Sequence, residues 1–500
     1  MLFTQFEFMF IFLPAVFAGY FLIGAWFENP NVRLVWLAAA SLFFYGYWSV
    51  VFLPVITLSI CGNYLAALSI ARQPDGSGRH LRFALTVAAN LAALGFYKYT
   101  NFGIDIVNAV ARTHLGHAAI VLPLGISFFS FTQIAYLADV YRGEVIERNF
   151  AKYTLFVTFF PHLVAGPILH HREMMPQFGS DASRRISVQN IALGLTIFSI
   201  GLFKKIMIAD NFALIADPVF RAANQSHLHA IDAWTGALAY SLQIYFDFSG
   251  YSDMAIALSL LFGIRLPFNF DAPYKARSIS EFWRRWHITL SRFLRDYLYI
   301  PLGGNRQGAR RRNLNFFITM MLGGLWHGAG WNFLIWGMLH GALLMINHRW
   351  SAYVRENTWW SKNSKKTSYG LAALALTQLA VVGAWVFFRA DNPVAAVRVL
   401  KGMYGLADQA QISPRLIPGL ALPIVIVGYL ACLMLPNIQA IFAKWNVGLE
   451  TYDNARPWSI FEIEWRPSLA WSIMASAMFI VAVIACLLAG DGSQFLYFQF

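Results

Sequence analysis

Residues 313–345 read NLNFFITMMLGGLWHGAGWNFLIWGMLHGALLM, an apolar stretch broken by Gly328-Ala329-Gly330. Basic segments flank it on both sides, so both of its ends should lie on one side of a membrane. Two full helical spans need roughly 40 residues, more than this stretch contains. We therefore predict that the chain enters the membrane, reverses near mid-depth and returns, because glycine permits the backbone angles of a sharp turn. His327 immediately precedes that turn.

The flanking segments set the orientation of the chain. Residues 271–312 and 346–368 are rich in lysine and arginine, and the loop at 71–82 carries Arg72, Arg79 and Arg82 against Asp75. Short loops rich in these cations face the cytoplasm in membrane proteins. All three segments are therefore expected on the cytoplasmic side, which puts the N-terminus outside.

Composition extends the membrane assignment to the whole chain. Of 500 residues, 58% are hydrophobic and 13% are charged, with a mean hydropathy of +0.51. The net charge of +13 comes from basic loops between apolar runs, so we expect contact with membrane lipid and no nucleic-acid partner. The fold class predicted is an all-α polytopic membrane protein with one domain, residues 1–500. Predicted spans cover residues 5–26, 33–50, 51–70, 83–100, 120–139, 187–210, 233–262, 370–389, 417–437 and 468–489.

Ionisable side chains at membrane depth are candidates for a functional site. This singles out His327, and also His340 on the returning arm of the predicted hairpin. His162 lies in a second predicted re-entrant segment, residues 151–169. A neutral, hydrogen-bonded packing role is the alternative for each. Asp247 and Asp253, within the span at 233–262, are expected to hold helices together.

The cytoplasmic block at 270–305 reads FDAPYKARSISEFWRRWHITLSRFLRDYLYIPLGGN. Ser280 can cap a helix that starts at Glu281, and apolar side chains recur on it at helical spacing. We predict an amphipathic helix that lies on the membrane surface. Arg284 and Arg285, with Trp286 beside them, suit the phosphates and adenine of coenzyme A. Anchoring to anionic lipid would account for the arginines equally well.

Four motifs resemble those of the membrane-bound O-acyltransferase (MBOAT) superfamily, and within it the bacterial alginate O-acetylation branch. They are YFDFSGYSD at 245–253, the block at 268–305, GGLWHGA at 323–329 and WVFFRA at 385–390. The resemblance covers nearly the whole chain. It implies a ring of transmembrane helices with re-entrant segments around a central tunnel that leads from the cytoplasm to an outward funnel. It also implies a catalytic block at about 240–345, with His327 where tunnel and funnel meet and His287 as a second site histidine.

The chemistry of acyl transfer fits these residues. Transfer from a thioester to a hydroxyl needs a base near the hydroxyl and stabilisation of an oxyanion. We predict His327 and His287 as catalytic residues. The predicted substrate-binding residues are Arg284, Arg285, Trp286, Trp326 and His340. The expected donor is acetyl-CoA, with no permanently bound cofactor and no metal.

The C-terminal tail ends in Phe495-Leu496-Tyr497-Phe498-Gln499-Phe500. Residues 495–498 resemble the F-x-Y-F signature of the small partner peptide in the related D-alanylation system, where the tyrosine accepts the acyl group. The resemblance therefore implies that Tyr497 is a third catalytic residue, an acyl relay outside the membrane. An aromatic belt at the interface is the alternative.

The class of function and the acceptor have alternatives as well. A transporter would also use broken helices, although no inverted repeat is visible. A scaffold subunit of a polysaccharide secretion complex is a further alternative. For an acetyltransferase of this branch, the resemblance implies the bacterial inner membrane and a periplasmic SGNH-type O-acetyltransferase as partner, with other secretion proteins. Alginate is the expected polymer, and cellulose and peptidoglycan are the alternatives.

Overall fold

The computed structural model describes residues 1–180, 183–407, 415–449, 458–489 and 495–496. Their regular structure is helical. The α-helices are α1 Leu13–Trp26, α2 Pro30–Trp48, α3 Leu53–Ala71, α4 Ser77–Ala111, α5 Ile126–Tyr141, α6 Phe150–Thr158, α7 His171–Met174, α8 Val188–Phe203, α9 Asp210–Ala222, α10 Ala230–Leu261, α11 Ile279–Arg285, α12 Ile288–Leu294, α13 Gly308–His327, α14 Trp331–Glu356, α15 Thr358–Asn363, α16 Thr367–Arg389, α17 Pro393–Met403, α18 Ala421–Met434, α19 Ile438–Ile441 and α20 Leu469–Ala489. π-Helical turns at Phe8–Phe12 and Lys204–Ala209 extend α1 and join α8 to α9.

The all-α polytopic class is confirmed. Among the described residues, five helical stretches are long and apolar enough to cross a membrane: Phe8–Trp26, Val50–Ala71, Val188–Ala222, Thr367–Arg389 and Leu469–Ala489. The other predicted spans coincide with α2, α4, α5, α10 and α18. The ring arrangement around a tunnel stays a prediction.

The stretch at 313–345 forms a helical hairpin of α13 and α14, as predicted. Close approach of the two helices depends on glycine: a Cβ atom at Gly324 would overlap the carbonyl oxygen of Phe333, and one at Gly337 would overlap that of Met320. Without those side chains the two backbones pack directly against each other.

Two details of this hairpin differ from the prediction. Gly328 and Gly330 have φ values of −162° and −172°, which is extended backbone that any residue adopts. Gly328 is needed for space instead, because a Cβ atom there would overlap the ring of Phe333. The arms also extend beyond 313–345, to Gly308 and Glu356. At 1.5 Å per residue α13 is about 30 Å long, so length alone does not force a turn at mid-depth, and the depth stays a prediction.

The second predicted re-entrant segment begins with the short helix α6. Residues 159–170 continue it as irregular, fully buried chain. Non-helical backbone of this kind requires protein around it in a membrane, which the burial supplies.

Helices α8 and α10 pack through Gly201 and Gly250, where an added Cβ atom would crowd the facing backbone. The π-helical turn after α8 presents two consecutive lysines to α10. Lys204 pairs with Asp253 at 2.7 Å and Lys205 pairs with Asp247 at 2.7 Å. The two aspartates therefore hold helices together, as the sequence indicated.

The prediction of an amphipathic surface helix in the 270–305 block is wrong. The segment forms two short helices, α11 and α12, separated by Trp286 and His287. Its N-cap is Ser278, whose side chain accepts from the backbone N–H of Glu281, and not Ser280. Trp286 is 1% exposed and His287 is 0% exposed, so this face lies in the protein core and not on a membrane surface. Helical spacing of apolar residues marks a buried face whether that face contacts protein or lipid. The sequence therefore did not distinguish a core helix from a helix on the membrane surface.

Candidate functional site

His327 is the last residue of α13 and is 4% exposed. Its ring packs against three aromatic rings, at centroid distances of 4.8 Å to Trp326, 5.2 Å to Trp336 and 5.2 Å to Phe388. These walls separate the imidazole from bulk water, and electrostatic interactions strengthen where water is excluded.

His287 occupies the break between α11 and α12. Its φ of 43° places it in the left-handed region, which is uncommon for a residue other than glycine. Such conformations cluster at functional sites, where the surrounding structure holds them in place. Backbone hydrogen bonds supply that restraint here: Asp271 donates to the carbonyl of Arg285, and Ile288 donates to that of Asn269.

The side chain of Asn269 fixes the protonation of His287. Its Oδ1 accepts from the hydroxyl of Thr289 at 2.7 Å and lies 3.2 Å from Nδ1 of His287. The backbone N–H of Thr289 also donates to this Oδ1, at 3.4 Å, and because an N–H only donates, the atom that it meets is the amide oxygen. A carbonyl oxygen only accepts, so Nδ1 of His287 carries the proton and Nε2 is the basic nitrogen.

The two predicted catalytic histidines lie together in the interior. Their ring centroids are 6.4 Å apart, and the ring of Trp326 contacts both. Phe248 of α10 packs edge-on against His287 at 4.7 Å. Two imidazoles at this separation can act on the two ends of one small reacting group, one as a base at an attacking hydroxyl and the other near a leaving group.

A cavity of about 160 Å³ reaches His327 from one side. Its wall includes Trp48 at the end of α2 and residues 122–128 at the start of α5. The far end of α5 lies beside the basic loop at 71–82, where Arg79 donates to the carbonyl of Val140. The cavity therefore opens at the opposite end of α5 from that loop.

The two predicted donor arginines have different surroundings. Arg285 is buried and pairs with Asp271 at 2.9 Å and with Glu281 at 3.0 Å. Burial raises the pKa of the Asp271 carboxyl, and the Arg285 guanidinium opposes that shift. Arg284 is exposed. Their contact with a donor stays a prediction, and the geometry makes Arg284 the accessible member of the pair.

Two of the predicted substrate-binding residues, Trp286 and His340, are buried in the aromatic packing behind the two catalytic histidines. Trp286 is in the core, stacked on Phe282 at 5.6 Å. His340 is fully buried, and its Nδ1 accepts from the indole N–H of Trp283 at 3.2 Å. The ring of Trp336 contacts both His340 and His327, at 4.9 Å and 5.2 Å. Of the predicted substrate-binding residues, Trp326 lines the cavity beside His327.

The described part of the C-terminal tail is docked on α10. Phe495 is 1% exposed and packs edge-on against Tyr251 at 4.8 Å, with Nζ of Lys205 4.9 Å from its ring centroid. The backbone N–H of Leu496 donates to Asp247 at 3.1 Å. Tyr497, the predicted relay, lies outside the described residues.

Sequence reasoning missed three residues of the site: Asn269, Lys98 and Tyr99. Lys98 lines the cavity and donates to the carbonyls of Trp326 and His327, and Tyr99 donates to that of Leu325. A lysine inside the predicted span at 83–100 was a usable signal, because cations in such segments are rare and functional. Nothing local marks Asn269.

Comparison with known proteins identifies the family of the chain. Residues 140–376 match the model of MBOAT, the membrane-bound O-acyltransferase family. A peptidoglycan O-acetyltransferase of Helicobacter pylori is 46% identical over 431 residues, 81% of this chain and 80% of that protein. The probable alginate O-acetylase AlgI of Pseudomonas putida is 38% identical over 520 residues, 100% of both chains. A teichoic acid D-alanyltransferase of Streptococcus thermophilus is 29% identical over 270 residues, 52% of this chain and 64% of that protein.

The chain belongs to the membrane-bound O-acyltransferase family. Within it, the protein is an O-acetyltransferase of the AlgI-like branch. It is an enzyme and a multi-pass membrane protein, which sets aside the transporter and scaffold alternatives.

Proposed function

We propose that the protein takes acetyl groups from acetyl-CoA on the cytoplasmic side and passes them outward for O-acetylation of a polysaccharide. The observation that carries this is the pair His287 and His327, 6.4 Å apart in the interior, with a cavity at His327 that opens at the end of α5 opposite the basic loop at 71–82. A donor and an acceptor that arrive from opposite sides would meet at this pair.

In the first step a hydroxyl oxygen attacks the thioester carbonyl. The new C–O bond forms as the C–S bond breaks, and the hydroxyl proton passes through His327 to the departing thiolate, which leaves as coenzyme A. His287, with Nε2 basic, is the second imidazole available for that proton. The thioester is already activated, so no nucleophilic side chain is needed to form an intermediate before this attack.

We propose that the first acceptor is the phenol of Tyr497. Leu496, the preceding residue, is bound to Asp247 near the middle of α10, and the next residue of that helix, Phe248, touches His287. The tail therefore reaches the same level along α10 as His287. This supports the acyl relay over an aromatic belt at the membrane interface. The cavity at His327 also favours a slender acceptor, since about 160 Å³ holds one small group and not a stretch of polymer.

From the aryl ester the acetyl group would pass to a serine of a periplasmic SGNH-type O-acetyltransferase, and from it to the polymer. Each transfer exchanges one ester for another and needs no further reactant. This sequence requires the bacterial inner membrane, with other polysaccharide secretion proteins as partners.

Two polymers are candidates. Alginate is the first, because the motifs are closest to that branch and full-length relatives are named for it. Peptidoglycan is the second, favoured by the 46% identity with the Helicobacter pylori protein. Acetylated cellulose has no such observation behind it.

The test uses purified protein and a gene deletion. Protein in nanodiscs with labelled acetyl-CoA should release coenzyme A above the level of heat-inactivated protein. In the deletion strain, acetate released by mild base from exopolysaccharide and from muropeptides should fall in one fraction only. Loss from the exopolysaccharide supports alginate, whereas loss from muropeptides supports peptidoglycan. Equal coenzyme A release by active and inactivated protein would contradict the proposed donor.

A further inference from the structure

Helix α13 ends without a left-handed glycine to close it. The residue after His327, Gly328, is extended, so the last carbonyl groups of the helix have no partners within the usual C-terminal motif. Three of them accept hydrogen bonds from α4. Nζ of Lys98 donates to Trp326 at 2.5 Å and to His327 at 3.0 Å, and the hydroxyl of Tyr99 donates to Leu325 at 2.8 Å.

Helix α4 buries little of its own surface. Of its 35 residues only Asn90 and Leu94 are buried, so most of its surface faces outward. A lysine in such a helix is costly at membrane depth unless its ammonium has compensating partners. The partners here are the carbonyls of Trp326 and His327. A cation at a helix C-terminus is also favoured by the helix dipole.

We propose that Lys98 and Tyr99 are positioning residues for acyl transfer. Together they fix the last turn of α13, and so hold the imidazole of His327 against the cavity that Lys98 also lines. The backbone after His327 runs directly into the hairpin turn, so the orientation of this side chain depends on that clamp. This inference rests on the proposed role of His327.

A second attachment of α4 provides an internal control. Asn90 and Asn63 of α3 exchange two side-chain hydrogen bonds, at 2.7 Å and 3.0 Å. This pair attaches α4 to α3 about two helical turns before Lys98, away from the contact with α13. If Lys98 only attached α4, then loss of the Asn90 pair would produce the same defect as loss of Lys98.

The experiment compares Lys98→Met, Lys98→Arg, Tyr99→Phe and Asn90→Ala at equal membrane levels. We expect Lys98→Met to lower kcat by about 10–100-fold, because displacement of a catalytic group by about 1 Å costs rate of this order. The apparent KM for acetyl-CoA should stay within about twofold, since no donor contact is removed. Lys98→Arg should recover most of the activity, Tyr99→Phe should show a smaller loss in kcat, and Asn90→Ala should keep wild-type kcat.

Cellular polymer acetylation, measured by complementation of the deletion strain, gives a readout that does not depend on the identity of the donor. His327→Ala is included in the same series. Full acetylation in His327→Ala would overturn the proposed reaction centre. Loss of acetylation in His327→Ala together with wild-type activity in Lys98→Met, or equal defects in Lys98→Met and Asn90→Ala, would overturn the positioning role alone.

Discussion

Asn269 Oδ1 lies 3.2 Å from Nδ1 of His287, and this contact determines which nitrogen of the imidazole is basic. The same oxygen accepts from Thr289, so its orientation is fixed from a second direction. A partner that sets the tautomer of a catalytic histidine acts on the rate even though it touches no substrate.

Asn269→Ala should therefore lower kcat by up to about 100-fold, through misorientation of His287. The loss should not add to that of His287→Ala, because residues in one hydrogen-bonded network couple. Acetyl-CoA turnover of both single variants and the double variant measures this. Asn211→Ala, at an exposed asparagine, is the matched control. Independent, additive losses would remove Asn269 from the site.

His327→Ala should reduce acetyl transfer by about 10²–10⁴-fold, the usual contribution of a general base. Membrane levels should stay near normal, because alanine keeps the backbone carbonyl at the end of α13 that Lys98 binds. The exposed His117, paired with Asp105 at 2.6 Å, provides a control variant, His117→Ala. Wild-type acetylation by His327→Ala, at normal membrane levels, would contradict the assignment.

The two arginines of the FWRRWH motif should behave differently when they are changed one at a time. Arg285→Gln leaves Asp271 buried without its cation, and breaking a buried ion pair costs roughly 3–5 kcal/mol. We expect a lower unfolding temperature for this variant in detergent.

Arg284→Gln should preserve stability and raise the apparent KM for acetyl-CoA, with less change in kcat. An unchanged KM would assign Arg284 to lipid contact instead. A similar loss of stability in both variants would show that their surroundings do not differ.

Tyr497→Phe should abolish polymer acetylation at normal membrane levels, because the ring stays and only the accepting hydroxyl is lost. Wild-type protein should yield an acetylated C-terminal peptide by mass spectrometry. Tyr404→Phe, at a tyrosine that is 69% exposed, is the control. Full activity of Tyr497→Phe would reduce the tail to a membrane anchor.

Much of this protein follows from the sequence by itself. Apolar runs of bilayer length specify transmembrane helices wherever they occur, because an unpaired backbone group in lipid costs several kcal/mol and helices satisfy every one. Each predicted span coincides with a helix for that reason. The sequence also singles out His327 as a candidate from local features alone, since an ionisable residue beside a break in an apolar stretch is unusual.

Only the tertiary structure decided how the site is assembled. Asn269, Lys98 and Phe495 lie on separate segments, and nothing in their local sequence says which carbonyl, ring or carboxylate they meet. The same limit explains the wrong surface helix: the spacing of Trp283 and Trp286 requires an apolar environment, but protein core and lipid satisfy it equally well. The partner of a polar or aromatic side chain is set by how distant helices pack, and periodicity along one helix carries no information about that packing.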